Sequence, residues 1–440
     1  MIKNITNIKI EKLVYKGFGL GFKDSNPIFV FNSVPGDIVD VKIIHKKGNA
    51  LFGEICELKE RSEFRIEPEC KVFGICGGCD WQCIPYGKQL EYKQIIIKEI
   101  FRNISREKIR TIVPSTKDRY YRNKSFFPIS EKNNEPVIGM FERRSHKVVP
   151  HLKCFLQPPV FDEVIKVFGN YMTASKIKIY NETNGKGTAR YLGIRLSENT
   201  NEMMIIFVTK TRKIPFSNQL VRILTTSFPN IVGIVQNINS NPTNVILGNE
   251  EKILFGKNNL IEKIGSSKYK LNYQSFFQVN TSVAEKMYEF VKEHIPANSN
   301  VLDAYCGVGS IGIYIAGKAG RVIGIENNGN AVNDARFNAE LNNVSNCDFI
   351  TGDVEDKFLD VCENIDTIIF DPPRKGLNKE IIEKIPDNIK KIIYISCDPS
   401  TQVRDVNRFM EKGFMIKLIQ PFDMFPQTYH IENGIVLERE

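Results

Sequence analysis

Residues 301–326 read Val-Leu-Asp-Ala-Tyr-Cys-Gly-Val-Gly-Ser-Ile-Gly-Ile-Tyr-Ile-Ala-Gly-Lys-Ala-Gly-Arg-Val-Ile-Gly-Ile-Glu. The first residues form an apolar run typical of a buried strand, and a glycine-rich turn at 307–312 leads into a helical stretch. A second apolar run, 321–326, ends in Glu326. This order predicts a doubly wound α/β domain, which binds ligands beyond the carboxyl ends of its parallel strands. Glu326 lies about twenty residues after the first glycine, where such domains place a ribose-binding carboxylate.

Two further strand ends in this region carry acidic residues. The run 349–353 ends in Asp353, placed to meet an adenine amino group, and the run 365–371 ends in Asp371, which two prolines follow. The glycine-rich turn alone fits NAD as well as S-adenosylmethionine. A strand-terminal Asp-Pro-Pro loop is typical of methyltransferases that act on bases, and its prolines hold the loop in a fixed shape. The sequence therefore predicts an S-adenosylmethionine site.

Cys397 follows the apolar run 391–395 and so lies in the loop beyond another strand. A thiolate in that loop could attack an electron-poor carbon. His430 and Glu432 form a second polar pair later in the chain. Methyl transfer to C5 of a pyrimidine needs a nucleophile and a carboxylate, and these residues could supply both. The alternative is that Cys397 is a small buried apolar side chain, as most free cysteines are.

Length and composition limit the class of protein and the partners that the chain can have. A chain of 440 residues with 42% hydrophobic residues predicts a globular protein of two or three domains. The polar first residues do not resemble a signal peptide, and no apolar run is as long as a membrane helix, so we expect a cytoplasmic protein. Ten cysteines in such a protein argue against disulfides and for metal binding or catalysis. The net charge of +9 fits an anionic partner such as nucleic acid.

The segment 1–58 contains five short strand-like runs separated by glycine turns, which predicts a small barrel of the OB type. Its sequences Tyr15-Lys-Gly-Phe-Gly19 and Val34-Pro-Gly-Asp37 resemble the TRAM domain, an RNA-binding barrel. Four side chains could contact a phosphate backbone: Lys42, His45, Lys46 and Lys47. Alternatively, these lysines form a solvated run that protects an edge strand from aggregation.

A cluster of cysteines follows the predicted barrel, with the spacing Cys70-x5-Cys76-x2-Cys79. A fourth ligand could come from the nearby Cys83 or from the distant Cys154. Zinc sites usually contain two closely spaced cysteine pairs, and only one is visible here. An iron–sulfur cluster accepts irregular spacing with a remote fourth cysteine, so the spacing slightly favours it. The alternative is a set of unrelated buried thiols.

The segment 59–260 is predicted to be a central α+β domain, and 261–440 the doubly wound domain. Residues 85–110 look helical, and this helix is expected to pack on the doubly wound domain. The stretch 115–147 mixes aromatic residues with Arg and Lys, a composition that suits stacking on unpaired bases. The same mixture is also found in half-exposed strands.

Taken together, the chain resembles the family of RNA 5-methyluridine methyltransferases over its whole length. The motifs that carry the resemblance are Cys70-x5-Cys76-Gly-Gly-Cys79, Ser275-Phe-Phe-Gln-Val-Asn280, Leu302-Asp-Ala-Tyr-Cys-Gly307, Asp371-Pro-Pro-Arg-Lys-Gly376, Ser396-Cys-Asp-Pro399 and His430-Ile-Glu432. Each motif is weak alone, but six in the same order are specific. The resemblance implies three parts: a TRAM barrel, a central iron–sulfur and RNA-binding domain, and a Rossmann-like methyltransferase domain.

The resemblance also implies a role for individual residues. Cys397 maps to the nucleophile and Glu432 to the general base. The residues that map to the S-adenosylmethionine site are Gln278, Tyr305, Ser310, Glu326, Asp353 and Asp371. The family's [4Fe–4S] ligands map to Cys70, Cys76, Cys79 and Cys154, which leaves Cys83 without a role. Ser310 stands where an Asn is expected, and this difference affects one expected hydrogen bond to the cofactor.

The expected substrate is a uridine in 23S ribosomal RNA, because the barrel and cluster domains add basic surface that compact tRNA-specific members of the family lack. The alternative target is the T-loop uridine of tRNA. We expect a monomer that does not bind membranes. Two other classes of function fit the sequence less well. An NAD-dependent oxidoreductase would have no role for Asp371-Pro-Pro. A non-catalytic RNA-binding protein would not need the catalytic residue types.

Overall fold

The computed structural model describes residues 4–104, 108–151 and 153–440. Parts of three predicted features lie outside the described residues: residues 1–3 of the N-terminal segment, residues 105–107 of the helical stretch, and residue 152 next to Cys154. Within the described ranges, no helix is long and apolar enough to cross a membrane.

The N-terminal part is a six-stranded sheet whose two edges belong to one interrupted strand. Its strands are β1 (Asn4–Lys9), β2 (Lys12–Leu13), β3 (Gly19–Lys23), β4 (Asn26–Phe31), β5 (Ile38–Lys47) and β6 (Ala50–Glu60), in the order β1-β5-β6-β4-β3-β2. Only Ile10 and Glu11 separate β1 from β2, and these two strands pair with β5 and β3, so the sheet closes on itself. Ile8, Ile28 and Val39 contribute to the apolar core that it encloses.

The central part contains a seven-stranded sheet with two helices packed on it. Its elements are α1 (Tyr86–Ile100), β7 (Lys124–Lys132), β8 (Glu135–Phe141), β9 (Val148–Pro150), α2 (Val160–Ala174), β10 (Ala189–Leu196), β11 (Met203–Thr209), α3 (Ser217–Ser227), β12 (Ile231–Ile238) and β13 (Glu250–Gly256). The strand order is β13-β12-β11-β10-β7-β8-β9, and only β11 and β12 are parallel. Helices α2 and α3 bury Phe161, Phe168 and Leu220 in the core beneath them.

The C-terminal part is the doubly wound domain, preceded by a hairpin. Its elements are β14 (Asn259–Ile264), β15 (Ser267–Asn272), α4 (Thr281–His294), β16 (Asn300–Ala304), α5 (Ser310–Ile315), β17 (Arg321–Glu326), α6 (Gly329–Leu341), β18 (Cys347–Thr351), α7 (Val354–Val361), β19 (Thr367–Phe370), α8 (Lys379–Glu383), β20 (Lys391–Ser396), α9 (Pro399–Glu411), β21 (Met415–Phe422) and β22 (Glu432–Glu438).

The sheet order is β18-β17-β16-β19-β20-β22-β21. The first five strands are parallel, β22 runs antiparallel to them, and β21 pairs antiparallel with β22. The strand order reverses at β16, so the crevice for ligands lies beyond its carboxyl end. The predicted doubly wound architecture is therefore confirmed.

Helix α1 is shorter than the sequence indicates. The apolar pattern predicts a helix over 85–110, but the helix ends at Ile100, and Phe101 is fully buried directly after it. Arg110 and Val113 then donate backbone hydrogen bonds to the carbonyls of Ile419 and Pro421 on β21. The prediction was wrong at this end, because pairing with a strand distant in sequence replaces the local helical bonds.

A buried ion pair fixes α1 to the doubly wound domain. Lys93 Nζ lies 2.6 Å from Asp423 Oδ1, and neither side chain is exposed to solvent. We expect Asp423→Ala to lower the free energy of unfolding by about 3–5 kcal/mol, because it leaves the buried Lys93 ammonium without its counter-charge and with only the Phe425 carbonyl as acceptor. Urea unfolding of the purified protein measures this change.

The matched control is Glu99→Ala, which breaks the exposed pair between Lys12 and Glu99. A surface pair contributes at most about 1 kcal/mol, so this change should be small. Similar effects from the two substitutions would contradict the stated role of the buried pair.

Candidate active site

Strand pairing brings together two residues that are distant in sequence. Cys397 follows the end of β20, and Glu432 begins β22. These strands are antiparallel, and Ser396 of β20 lies opposite Asn433 of β22. The end of one strand therefore meets the start of the other, and Cys397 lies next to Glu432 at the carboxyl edge of the parallel sheet. Asp371, which follows β19, lies close enough to raise the pKa of both groups.

A cavity of about 610 Å³ opens over this pair. Its volume falls in the range of small-molecule sites, about 300–1,000 Å³. The predicted residues that line it are Cys70, Cys76, Cys79, Cys154, Gln278, Cys397 and Glu432. The structure thus brings the predicted nucleophile, base and cluster cysteines to one cavity, which the sequence did not predict. Of the other predicted cofactor residues, Ser310 begins helix α5, and the rest lie at the ends of β16, β17, β18 and β19.

Burial favours the protonated forms of Cys397 and Glu432. Burial, followed by the charge of Glu432, raises the pKa of Cys397 to about 11. Burial, followed by the charge of Asp371, holds the pKa of Glu432 well above its usual range. The guanidinium of Arg374 opposes both shifts, since a nearby cation favours the thiolate and the carboxylate. At neutral pH the Cys397 thiol therefore keeps its proton.

Sequence reasoning assigned no role to Arg374. This residue lines the cavity directly after Asp371-Pro-Pro, and its side chain is exposed toward it. Its position in the Asp-Pro-Pro-Arg motif was a signal that could have identified it. The nearby His430 is neutral at neutral pH, because burial and then Arg374 lower its pKa to about 4. Its ring packs on that of Tyr429 with the centroids 4.2 Å apart.

The loop before α4 adds a second wall. Gln278 is buried, whereas the Phe276 ring is 75% exposed and lines the same cavity. An exposed aromatic ring at a cavity wall provides a flat surface on which a base could stack. Sequence reasoning quoted Phe276 within a motif but did not single it out, because an exposed and a buried Phe look alike in sequence.

The glycine-rich turn and the next strand end form a polar edge. Glu326 accepts hydrogen bonds from the backbone N–H groups of Gly307 (3.2 Å) and Asn328 (2.8 Å). Asp353 accepts one from the Asn327 side chain at 3.2 Å. Among the described residues, no heavy atom lies within 4 Å of the point where a Gly307 side chain would begin. The turn therefore leaves open space beside two carboxylates, and these features fit a nucleoside with ribose hydroxyls and an amino group.

Two tyrosines and a buried acid support this edge. The Tyr288 hydroxyl donates to Ser310 Oγ at 2.9 Å, so the serine that replaces the expected Asn has a partner within the protein. Tyr305 adopts a left-handed backbone conformation with φ of 67°, which turns the chain into the glycine loop. Asp303 is fully buried, and burial raises its pKa to about 7. Sequence reasoning did not assign Asp303, although it precedes the glycine loop.

Burial also raises the pKa of Asp371 to about 7. Burial raises the pKa of both Asp371 and Glu432, and the charge of Asp371 further disfavours the charged form of Glu432. A positively charged ligand between Asp371 and Glu432 would stabilise the charged form of each carboxyl group. The site is accordingly suited to a cationic cofactor beside a neutral base.

The cysteines of the cluster motif line the same cavity. Cys76 accepts a hydrogen bond from the Gly78 N–H at 3.4 Å, and Cys79 accepts one from the Gln82 side chain at 3.2 Å. Cys83 does not line the cavity, since its side chain is fully buried beside the Asn32 carbonyl. Among residues 4–104, 108–151 and 153–440, no three His, Cys, Asp or Glu side chains are grouped closely enough to hold a metal ion.

Comparison with known proteins identifies the family. A model of the tRNA (Uracil-5-)-methyltransferase family matches residues 85–440. A protein of Oceanobacillus iheyensis, named an uncharacterized RNA methyltransferase, is 36% identical over 438 residues, which cover 97% of this chain and 95% of that protein. A protein of Clostridium acetobutylicum with a similar name is 35% identical, with 99% and 97% covered. The chain therefore belongs to the tRNA (uracil-5-)-methyltransferase family, and it is an RNA (uracil-5-)-methyltransferase.

A solved structure is similar over the full length. The tRNA (uracil-54, C5)-methyltransferase of Pyrococcus abyssi, solved with S-adenosyl-L-homocysteine, superposes with a TM-score of 0.80 and 28% sequence identity. The match covers 99% of this chain and 100% of the Pyrococcus protein. The likeness thus includes the N-terminal and central parts as well as the doubly wound domain.

Proposed function

We propose that the protein transfers a methyl group from S-adenosylmethionine to C5 of a uridine in RNA, with Cys397 as nucleophile and Glu432 as general base. The observation that carries this proposal is that Cys397 and Glu432 line one cavity of about 610 Å³ at the adjoining ends of β20 and β22. A thiol and a carboxyl group at that position match the needs of C5 chemistry. Dehydrogenase chemistry gives this pair no role.

The proposed reaction begins at the sulfur of Cys397 and ends with loss of the C5 proton. The Cys397 thiol loses its proton to solvent water, and the thiolate sulfur adds to C6 of the uracil, which opens the C5–C6 double bond and makes C5 electron-rich. Bound S-adenosylmethionine supplies the methyl group that C5 receives. The Glu432 carboxylate then takes the proton from C5, and the bond between C6 and the Cys397 sulfur breaks with its electron pair returning to sulfur. The target uridine must leave its stack to enter the cavity, and Phe276 provides a surface for its ring.

The polar edge provides the cofactor site in this proposal. Glu326 binds the ribose hydroxyls and Asp353 the adenine amino group. Gln278, Tyr305 and Ser310 complete the site, as the family resemblance implies. Asp371 would face both the cofactor and the uracil edge, and a positive sulfonium there would favour the charged forms of Asp371 and Glu432. Cofactor binding thereby prepares the base for its step.

The N-terminal and central parts would hold the RNA. We propose that the closed N-terminal sheet is a TRAM barrel covering 1–58 and that its exposed β5 side chains contact phosphates. Residues 59–260 would form the central cluster and RNA-binding domain, and 261–440 the catalytic domain. We further propose that the protein acts as a cytoplasmic monomer.

We also propose that Cys70, Cys76, Cys79 and Cys154 bind a [4Fe–4S] cluster. These four thiols line one cavity, and N–H groups already point at two of the sulfurs. A single metal ion does not fit them. In a four-iron cluster each thiolate binds a different iron, so its ligands stand farther apart than those of one ion. The cluster would have a structural role, because methyl transfer moves no electrons.

Iron analysis tests the cluster proposal. Protein purified without oxygen should be brown and contain about four irons, the number in such a cluster. Cys154→Ser should lose most of this iron because one iron loses its thiolate. The matched control is Cys83→Ser, which should keep the colour, since Cys83 faces away from the cavity. Stoichiometric zinc without visible absorbance would refute the proposal.

We propose 23S rRNA as the target, on the basis of the basic surface that the barrel and central domain add. A second candidate is tRNA, because the Pyrococcus enzyme, which is similar over its full length, is named for uracil 54 of tRNA. That match means that the domain layout does not by itself separate the two targets. Either target would present the uridine in an unpaired loop, where RNA-binding proteins read sequence.

A methylation assay on separate RNA pools decides between the targets. The enzyme is incubated with labelled S-adenosylmethionine and either ribosomal RNA or tRNA that lacks 5-methyluridine. We expect label in 23S rRNA and not in tRNA, and digestion to nucleosides should show it in 5-methyluridine. Label confined to the T-loop of tRNA would show that the substrate is tRNA and not 23S rRNA. Label in another nucleoside would contradict the proposed function itself.

A further inference from the structure

One turn of the N-terminal sheet is built into the wall of the catalytic site. This turn, residues 14–18, is closed by backbone hydrogen bonds from Val14 to the Phe18 carbonyl and from Gly17 to the Val14 carbonyl. Leu13, just before it, belongs to the same apolar cluster as the fully buried Trp81 and the strands of the catalytic sheet. The turn is therefore anchored to the catalytic domain by core packing.

The turn touches the loop that leads to the general base. Gly17 has φ of +81°, and a Cβ at this position would lie 2.8 Å from Cδ1 of Tyr429. The Trp81 ring N–H donates to the Gly17 carbonyl at 3.3 Å and holds the turn in place. Tyr15 meets the Tyr429 ring edge-on, with the centroids 6.3 Å apart. Glycine is needed here because any side chain would displace Tyr429, which precedes His430 and Glu432.

The same turn faces the loop that carries the nucleophile. Asp398, the residue directly after Cys397, lies near Tyr15, since its charge, after burial, raises the pKa of Tyr15. Asp398 also caps helix α9, because its Oδ1 accepts the backbone N–H groups of Ser400 (3.0 Å) and Thr401 (3.3 Å). An N-cap fixes the entry of the chain into the helix. A group that holds Asp398 therefore also holds the backbone of Cys397.

We infer that the turn 14–18 positions the two catalytic loops relative to each other, with Tyr15 as the positioning residue for Cys397. This inference rests on the proposed roles of Cys397 and Glu432. It assigns the N-terminal sheet a part in the methyl-transfer step in addition to RNA binding. Removing the Tyr15 hydroxyl would leave the RNA-binding surface intact but loosen the Cys397 loop.

The test compares Tyr15→Phe with the wild-type chain in single-turnover methylation at saturating RNA. Three quantities are measured: the rate constant, the RNA dissociation constant, and the rate at which an adduct forms with RNA that contains 5-fluorouridine at the target. We expect the rate constant and the adduct rate to fall about tenfold, because small displacements of a nucleophile have effects of this size. The dissociation constant should change less than about twofold, because Tyr15 packs on Tyr429 and the core of the catalytic domain.

Two further variants complete the test. Tyr92→Phe removes a hydroxyl from α1, away from both loops, and should leave all three quantities unchanged. Gly17→Ala should also slow the adduct step, because its Cβ pushes on Tyr429. A wild-type rate constant in Tyr15→Phe, or a loss that lies entirely in RNA affinity, would overturn the inference. If instead the wild-type chain forms no adduct while it makes 5-methyluridine, the covalent mechanism fails, and the inference fails with it.

Discussion

Cys397→Ala is expected to abolish methyl transfer. Without the sulfur, C5 of uracil stays too weak a nucleophile to accept a methyl group. The loss in kcat should be at least about 10⁴-fold, as for other enzymes that lose their nucleophile. Cofactor affinity should stay within about twofold of the wild-type value, because Cys397 lies on the uracil side of the cavity. Transfer of labelled methyl groups to RNA, combined with calorimetric titration of S-adenosylmethionine, measures both quantities.

The matched control is Cys56→Ala, which removes an exposed thiol on β6, far from the cavity in the fold. This variant should methylate RNA at the wild-type rate. Turnover by Cys397→Ala within about tenfold of the wild-type rate would remove Cys397 from the mechanism.

Glu432→Gln is expected to stop the reaction after methyl transfer. Burial holds the pKa of Glu432 well above its usual range and so favours the neutral side chain, which glutamine closely resembles. Substrate binding and attack by Cys397 should therefore persist. Glutamine cannot take the C5 proton, so kcat should fall about 10²–10⁴-fold. A methylated RNA–protein adduct should then accumulate with ordinary uridine RNA, and denaturing gel electrophoresis detects it.

Glu438→Gln is the matched control, because Glu438 lies at the opposite end of β22 and pairs with Lys391. It should show normal turnover and no adduct. Free 5-methyluridine at the wild-type rate from Glu432→Gln would show that another group removes the proton.

The sequence allowed the doubly wound domain to be predicted because its signals are local. The strand, glycine turn and second strand of 301–326 follow one another directly, and each parallel strand is a short apolar run. The acidic residues at strand ends could be placed for the same reason, since carboxyl ends of parallel strands share one edge. Asp371 and Cys397 are both on that edge.

Features that depend on long-range pairing were not predictable in this way. The end of α1 at Ile100 depends on a later segment that pairs with β21. The approach of Glu432 to Cys397 depends on the antiparallel insertion of β22 beside β20, which the sequence pattern does not specify. The contact between Gly17 and Tyr429 joins residues at opposite ends of the chain. The family resemblance, rather than the residue pattern, supplied the role of Glu432.

Side-chain exposure also separates what could be predicted from what could not. Arg374 lies next to a recognised motif, but its effect on the pKa values of Cys397 and Glu432 depends on three-dimensional placement. Similarly, Phe276 and Phe277 are adjacent in sequence, yet only Phe276 is exposed at the cavity. The four cluster cysteines and Cys397 line one cavity, although they come from separate segments of the central and catalytic parts.

The most direct test of the covalent mechanism is the mass of the adduct trapped with 5-fluorouridine. RNA with this base at the target is incubated with the enzyme and S-adenosylmethionine, digested with nuclease and trypsin, and analysed by mass spectrometry. Since fluorine cannot be removed as a proton, the reaction should stop after methyl transfer. We predict that the peptide containing Cys397 carries a nucleotide with both fluorine and the added methyl group. An adduct on a different residue, or 5-methyluridine formation from ordinary RNA with no adduct from the fluorinated RNA, would contradict this account.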